Sequence, residues 1–154
     1  MLNRIRKENE GFTIIEVLIV LAIAGLIILI VFLAVPALQR NSRNTGRRND
    51  VSTYLGAVNE FIANNNGRLP LTADLATADS GVNALANTSS TMTEPTAVVT
   101  GVQSAAVALD TIQLVTNAKC GTSGATIAAT GRAFAVRYSV ESSTGSAIPQ
   151  CQEG

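Results

Sequence analysis

The run from Val17 to Val35 contains no charged or strongly polar residue, and Glu16 stands directly before it. At ~1.5 Å per residue the run extends about 30 Å as a helix, the depth of a bilayer's hydrocarbon core. A buried helix of a soluble protein rarely continues that far without a polar face, so the segment predicts a membrane span. A carboxylate at this position is costly unless a partner offsets its charge. Glu16 is therefore a candidate functional residue, and its partner has to be identified.

The flanks do not fix the orientation. Arg4, Arg6 and Lys7 precede the run, while Arg40, Arg43, Arg47 and Arg48 follow it, so the positive-inside count is ambiguous. The basic start fits a secretory signal, but the apolar run is too long for an h-region and no A-x-A-like site follows. The four arginines fall mostly on one helix side. They read as a stripe facing solvent or headgroups, or as a contact with a neighbouring subunit. A third reading is a DNA-binding patch, although no aromatic platform accompanies it.

The rest of the chain is rich in Ala, Thr, Ser, Asn and Gly, and can bury only a thin core. Lys+Arg and Asp+Glu are balanced at 11 each, and there is no His. The Ser–His and Cys–His nucleophile schemes are therefore closed. No phosphate loop or calcium loop is present, and Asp74, Asp79 and Asp110 read as isolated surface carboxylates or caps. No enzyme, cofactor or metal is expected. The even pair Cys120 and Cys151 is too few for an ordinary zinc site. It reads as a disulfide in a small-cored, membrane-anchored chain, with two free thiols as the alternative.

Beyond Pro36 the helical pattern resumes. Val51, Tyr54, Leu55, Val58, Phe61 and Ile62 recur at spacings of three and four, which makes one apolar stripe. Asn64-Asn65-Asn66-Gly67 should end the helix, with Gly67 as terminator. A single helix from about Phe12 to about Asn65 is predicted, and its stripe needs a sheet to cover it. Residues 71–94 read mainly as loop, with short turns around Thr72–Ala78 and a glycosylation-type triplet at Asn87-Thr88-Ser89. Strand signals follow at Ala97–Val99, Thr111–Val115 and Phe134–Val140. In the last, Phe134, Val136, Tyr138 and Val140 share one face, and Ala135, Arg137 and Ser139 the other. Gly121–Gly131 reads as a connection. The fold class is α+β: a long N-terminal helix, transmembrane half plus amphipathic half, packed on a small antiparallel β-sheet.

The N-terminus supports a more specific reading. A short basic leader ends in Gly11, and Phe12-Thr13-Ile14-Ile15-Glu16-Val17-Leu18-Ile19-Val20-Leu21-Ala22-Ile23-Ala24-Gly25 follows. This closely resembles the class III signal of type IV pilins, G-F-T-L-I-E before an apolar helix. The segments Ala118-Lys119-Cys120 and Gln150-Cys151-Gln152 look like those of pilins from small-genome, candidate-phylum bacteria. The resemblance implies that a membrane-embedded prepilin peptidase cuts after Gly11 and methylates the new amino terminus at Phe12. It also implies that Glu16 acts in assembly, opposite the amino group of Phe12 on the same or a neighbouring subunit. A charge pair there offsets two desolvation costs and sets the axial register between helices. The segments implied are a leader (1–11), a hydrophobic transmembrane and assembly helix (12–38), an amphipathic helix of the head (39–66), and a globular head with a disulfide-bound C-terminal loop (67–154). Pro36 lies farther beyond Gly25 than the corresponding proline of many pilins. That departure moves any helix weak point to the stretch near Val31 to Pro36.

The function implied is a structural subunit of a type IV pilus serving adhesion, twitching motility or DNA uptake. A pseudopilin of a type II secretion or competence system shares the same N-terminus. A monomeric, membrane-anchored surface binding module is the alternative of another class. The partners implied are identical or related pilin subunits in a helical homopolymer, the prepilin peptidase, the inner-membrane assembly platform and, before assembly, the lipid bilayer. DNA is a further candidate, with Arg137 and Lys119 as the head residues to test. The precursor would sit in the cytoplasmic membrane as a single-pass protein, and the assembled form at the cell surface.

Overall fold

In the computed structural model, residues 11–76, 80–86 and 92–154 are described. Arg4, Arg6, Lys7, Asp79 and the Asn87-Thr88-Ser89 triplet lie outside them. The chain divides into two compact units, Met1–Leu38 and Gln39–Gly154.

Helix α1 (Ile14–Asn64) contributes to both units and is 51 residues long. In the first unit, every described residue of the helix is exposed, including Leu18, Ile27, Phe32 and Leu33. It is the one helix among the described residues long and apolar enough to cross a membrane. Pro36 lies inside α1 without ending it.

In the second unit the helix has a dry face. Val51, Tyr54, Leu55, Ala57, Val58 and Phe61 are buried, matching the three-and-four stripe. The helix stops in a Schellman arrangement, with the Gly67 N–H donating to the Ile62 carbonyl at 2.8 Å. Asn66 enters the left-handed region (φ 55°) one residue before Gly67 (φ 80°), so the terminator is the pair rather than the glycine alone. A Cβ at Gly67 would also strike the Arg132 guanidinium.

The strands are β1 (Val98–Thr100), β2 (Gln113–Thr116), β3 (Ala118–Cys120), β4 (Thr126–Ala128), β5 (Phe134–Glu141) and β6 (Ala147–Glu153). The main sheet has the order β1-β2-β5-β6, and β3-β4 form a separate hairpin. One core cluster joins the helix stripe to Ile112, Leu114, Phe134, Val136, Tyr138 and Val140. The short helix α2 (Val82–Ala86) adds Val82 and Ala86 to it.

The structure corrects three expectations. The sheet is mixed rather than antiparallel, because β1 pairs with β2 in parallel, Val98 opposite Leu114. The C-terminal segment expected as a loop is largely strand β6, antiparallel to β5 from Ala135↔Glu153 to Glu141↔Ala147. The Gly121–Gly131 connection contains β4 and half of the hairpin. A further difference concerns β5, which is buried on both faces. Ala135, Arg137 and Ser139 are as enclosed as the core-facing residues, because an extended segment of residues 101–110 lies over them.

Candidate assembly site

The candidate site begins at the first turn of α1. Thr13 precedes the helix, and its hydroxyl accepts from the Glu16 N–H at 3.4 Å. The Glu16 carboxylate reaches back, with Oε2 accepting from the Thr13 N–H at 2.8 Å and from its hydroxyl at 2.7 Å. This is a reciprocal capping box, which satisfies donors that a helix start otherwise leaves open. Its signature Thr13-x-x-Glu16 was legible in the sequence, but the membrane-charge reading of Glu16 passed over it. The negative charge at the helix N-terminus is also favourable toward the macrodipole.

No second partner bonds the Glu16 carboxylate among the described residues, so Oε1 remains available to another donor. Phe12, 88% exposed, lies beside it. Phe12, Glu16, Val17, Val20 and Leu21 line a shallow apolar groove. Gly11 leaves the space around its Cα open, as does Gly25 farther along the helix. Gly11, Phe12 and Glu16 are thus neighbours at one exposed end of an apolar helix.

Three of the arginines after the apolar run, Arg40, Arg43 and Arg47, bond within the second unit. Arg43 forms a bidentate pair with Glu141, with Nε at 3.0 Å from Oε2 and Nη2 at 2.9 Å from Oε1. Arg47 is buried and meets Asp110 at 2.7 Å. The Asn44 side chain pairs with the backbone of Glu141 in both directions, at 2.9 and 2.8 Å. Arg40 donates to the Ser143 carbonyl. Hydrogen bonding from Arg43 holds the Glu141 carboxyl below the usual glutamate range, against a smaller opposing effect of desolvation. Attachment within the same head is none of the three readings of this stripe, and sequence spacing alone did not expose it.

The head cations expected to meet DNA differ sharply. Lys119 is exposed. Arg137 is 1% exposed and faces inward. Its guanidinium donates to the Gly124 carbonyl at 2.8 Å, the Gln113 amide oxygen at 2.7 Å, and the Ala105 carbonyl. Burial lowers its pKa from the ordinary arginine value. Arg137 therefore cannot serve as a surface contact, which corrects that expectation. Asp74, expected as a surface carboxylate or a cap, caps the Leu71 N–H and also pairs with Arg68 at 2.7 Å.

Cys120 and Cys151 form a disulfide, with Cα atoms 5.6 Å apart. It links β3 to the edge strand β6, which the hairpin also approaches at Gly124. That residue has φ +72°, and a Cβ there would lie 2.5 Å from the Pro149 carbonyl carbon.

A family model described as the prokaryotic N-terminal methylation motif matches residues 6–32. No match was found among curated proteins or solved structures. The matched segment supports a type IV pilin-like class III signal, which pilins and pseudopilins have in common. Its apolar N-terminal helix suits a membrane-anchored precursor.

Proposed function

We propose that this chain is a structural subunit of a type IV pilus, cut after Gly11, methylated at Phe12, and polymerised through its N-terminal helix. The observation that carries the reading is the wholly exposed apolar helix of residues 14–38 beginning inside a matched methylation motif. Exposed apolar surface of this extent needs lipid or protein to cover it. A bilayer covers it in the precursor, and the helices of other subunits cover it in a filament.

Cleavage turns the Phe12 amide into an ammonium group beside Glu16. The capping box leaves Oε1 of Glu16 for that cation, on the same subunit or on a neighbour. In a water-poor filament core, each charge is stabilised by the other, and the pairing sets which helices dock at which height. Pro36 has no N–H for the carbonyl one turn earlier, so the stretch from Val31 to Pro36, beyond Gly25, is where the helix gives way most easily during extraction from the bilayer. Prepilin peptidase, an inner-membrane assembly platform and further pilin subunits are the partners of this route. Surface attachment, twitching motility and DNA uptake are the activities such a filament supports.

The deciding test is the intact mass and N-terminal residue of the protein in material sheared from cells. A methylated chain beginning at Phe12, recovered in long filaments, is the expected result. Methylated Phe12 confined to short envelope-bound assemblies would point to a pseudopilin. A chain still beginning at Met1 and confined to membranes would reject processing at Gly11 and favour an anchored binding module.

A further inference from the structure

The outer face of the main sheet is covered by a strap, residues 101–110, that contains no helix or strand. Its fastenings run in order along the chain. The Thr126 hydroxyl donates to the Gly101 carbonyl at 2.9 Å and accepts from the Gln103 N–H at 2.8 Å, while the Thr126 N–H donates to the Gln103 carbonyl at 2.9 Å. Arg137 then holds the Ala105 carbonyl, and the Ser139 hydroxyl holds the Val107 carbonyl. Alternate strap carbonyls thus face inward, those of Gly101, Ala105 and Val107 met by side chains and that of Gln103 by the Thr126 N–H.

Two of these fastenings lead to the disulfide. Thr126 is the β-partner of Cys120 in the hairpin. Arg137 is the β-partner of Cys151 on β6 and of Gln113 on β2, so these side chains share the outer face. Arg137 also grips Gly124, which lies within the loop between β3 and β4. The guanidinium has no carboxylate partner among the described residues, so its burial depends on neutral acceptors that the strap and hairpin supply.

We propose that the Cys120–Cys151 bridge controls whether the strap lies closed on the sheet, acting through the hairpin, Thr126 and Arg137. A dithiol reductant attacks one sulfur, forms a mixed disulfide, and leaves as its own cyclic disulfide. Two electrons and two protons pass to the chain, which then carries two thiols. The hairpin loses its covalent tie to β6, Thr126 and Gly124 shift, and the strap opens. The helix-facing core lies on the other side of the sheet and stays packed.

Hydrogen exchange on the full chain in detergent micelles tests this. Peptides covering 101–109 are compared with peptides covering 51–61, before and after treatment with the dithiol. The expected result is acceleration in the strap about tenfold or more beyond whatever acceleration the helix peptides show from the general loss of stability. Unchanged strap protection would overturn the proposal. Equal acceleration of both regions would also overturn it, since the bridge would then act on the head as a whole with no particular hold on the strap. Thr126→Val keeps the disulfide and supplies an independent arm. It should loosen the strap in the oxidised protein, and reduction should then add little. A strap that stays protected in oxidised Thr126→Val would exclude the hairpin route.

Discussion

Residues 14–38 and residues 39–64 belong to one helix, yet they reach stability by opposite routes. The first stretch exposes all its apolar side chains. The second buries one stripe against a sheet, and its polar residues Asn44, Arg43 and Arg47 are bonded to the same head. No buried side-chain nitrogen or oxygen lacks a partner among the described residues. A region that closes its own interactions is a folding unit, whereas one that leaves them open is built to be completed by something else. Under the function proposed above, the contrast would let one long helix be both spine and attachment point.

The sharpest way to break that comparison is at Glu16. If the first stretch is completed by other subunits, Glu16→Ala should be processed normally yet yield on the order of tenfold fewer filaments in sheared fractions, as expected for loss of a charge partner in a water-poor core. Abundant normal filaments would remove the assembly role. Thr13→Ala removes the hydroxyl half of the capping box and should have a smaller effect, because the Thr13 N–H still meets the carboxylate.

The second stretch predicts losses of stability instead. Cys151→Ser opens a bridge across a sequence separation of 31. The chain-entropy model gives roughly 3–4 kcal/mol for such a loop, or about 10 °C or more in Tm for a domain of this size. Thermal denaturation of the full chain in detergent reads it, and an unchanged Tm would count against the bridge as a structural brace. Arg137→Met follows at about 2–4 kcal/mol, since it strands the Ala105 and Gly124 carbonyls and the Gln113 amide behind the strap. A neutral result would mean that water or a rearranged strap meets those acceptors.

How much of this was legible depended on whether a signal was local. The apolar run, the stripe from Val51 to Phe61 and the stop at Asn66-Gly67 are all periodic or adjacent in sequence, and the helix followed from them. Strand β5 announced itself by alternation, but alternation predicted one wet face, and the strap's covering of Arg137 could not be read from β5 alone. Strand β6 gave little signal because Pro149, Gln150 and Gln152 sit on an edge, where pairing with β5 rather than burial defines the strand. The parallel pairing of β1 was hidden for a similar reason: its return path is the unstructured strap instead of the usual helix. At the candidate site, Phe12 and Glu16 were legible by motif, whereas the bonds that turn Arg43 and Arg47 inward join residues about a hundred and about sixty positions apart, as the separations of 98 and 63 record.

The smallest effect separates electrostatics from packing at the base of the head. Glu141 carries its negative charge against Arg43 and Arg47, with Arg43 the larger influence, and its folded pKa lies below the ordinary value. A depressed carboxylate contributes stability that is complete above the unfolded pKa and disappears as pH falls through the folded one. The contribution should therefore be flat near neutrality and decline only in the acid range, below the point where an ordinary glutamate takes up its proton. Glu141→Gln removes that decline while preserving the shape of the side chain. Its Tm should sit slightly below that of the parent at neutral pH, and the two curves should converge on acidification. Asp74, depressed chiefly by its bonds to Arg68, remains in both proteins and supplies the acid sensitivity they share. No gap at any pH would mean that Glu141 acts only through its backbone bonds to Asn44, which Glu141→Gln keeps, leaving the arginines as spectators. Added salt should narrow the neutral-pH gap, because Arg43 is half exposed and exposed pairs are screened.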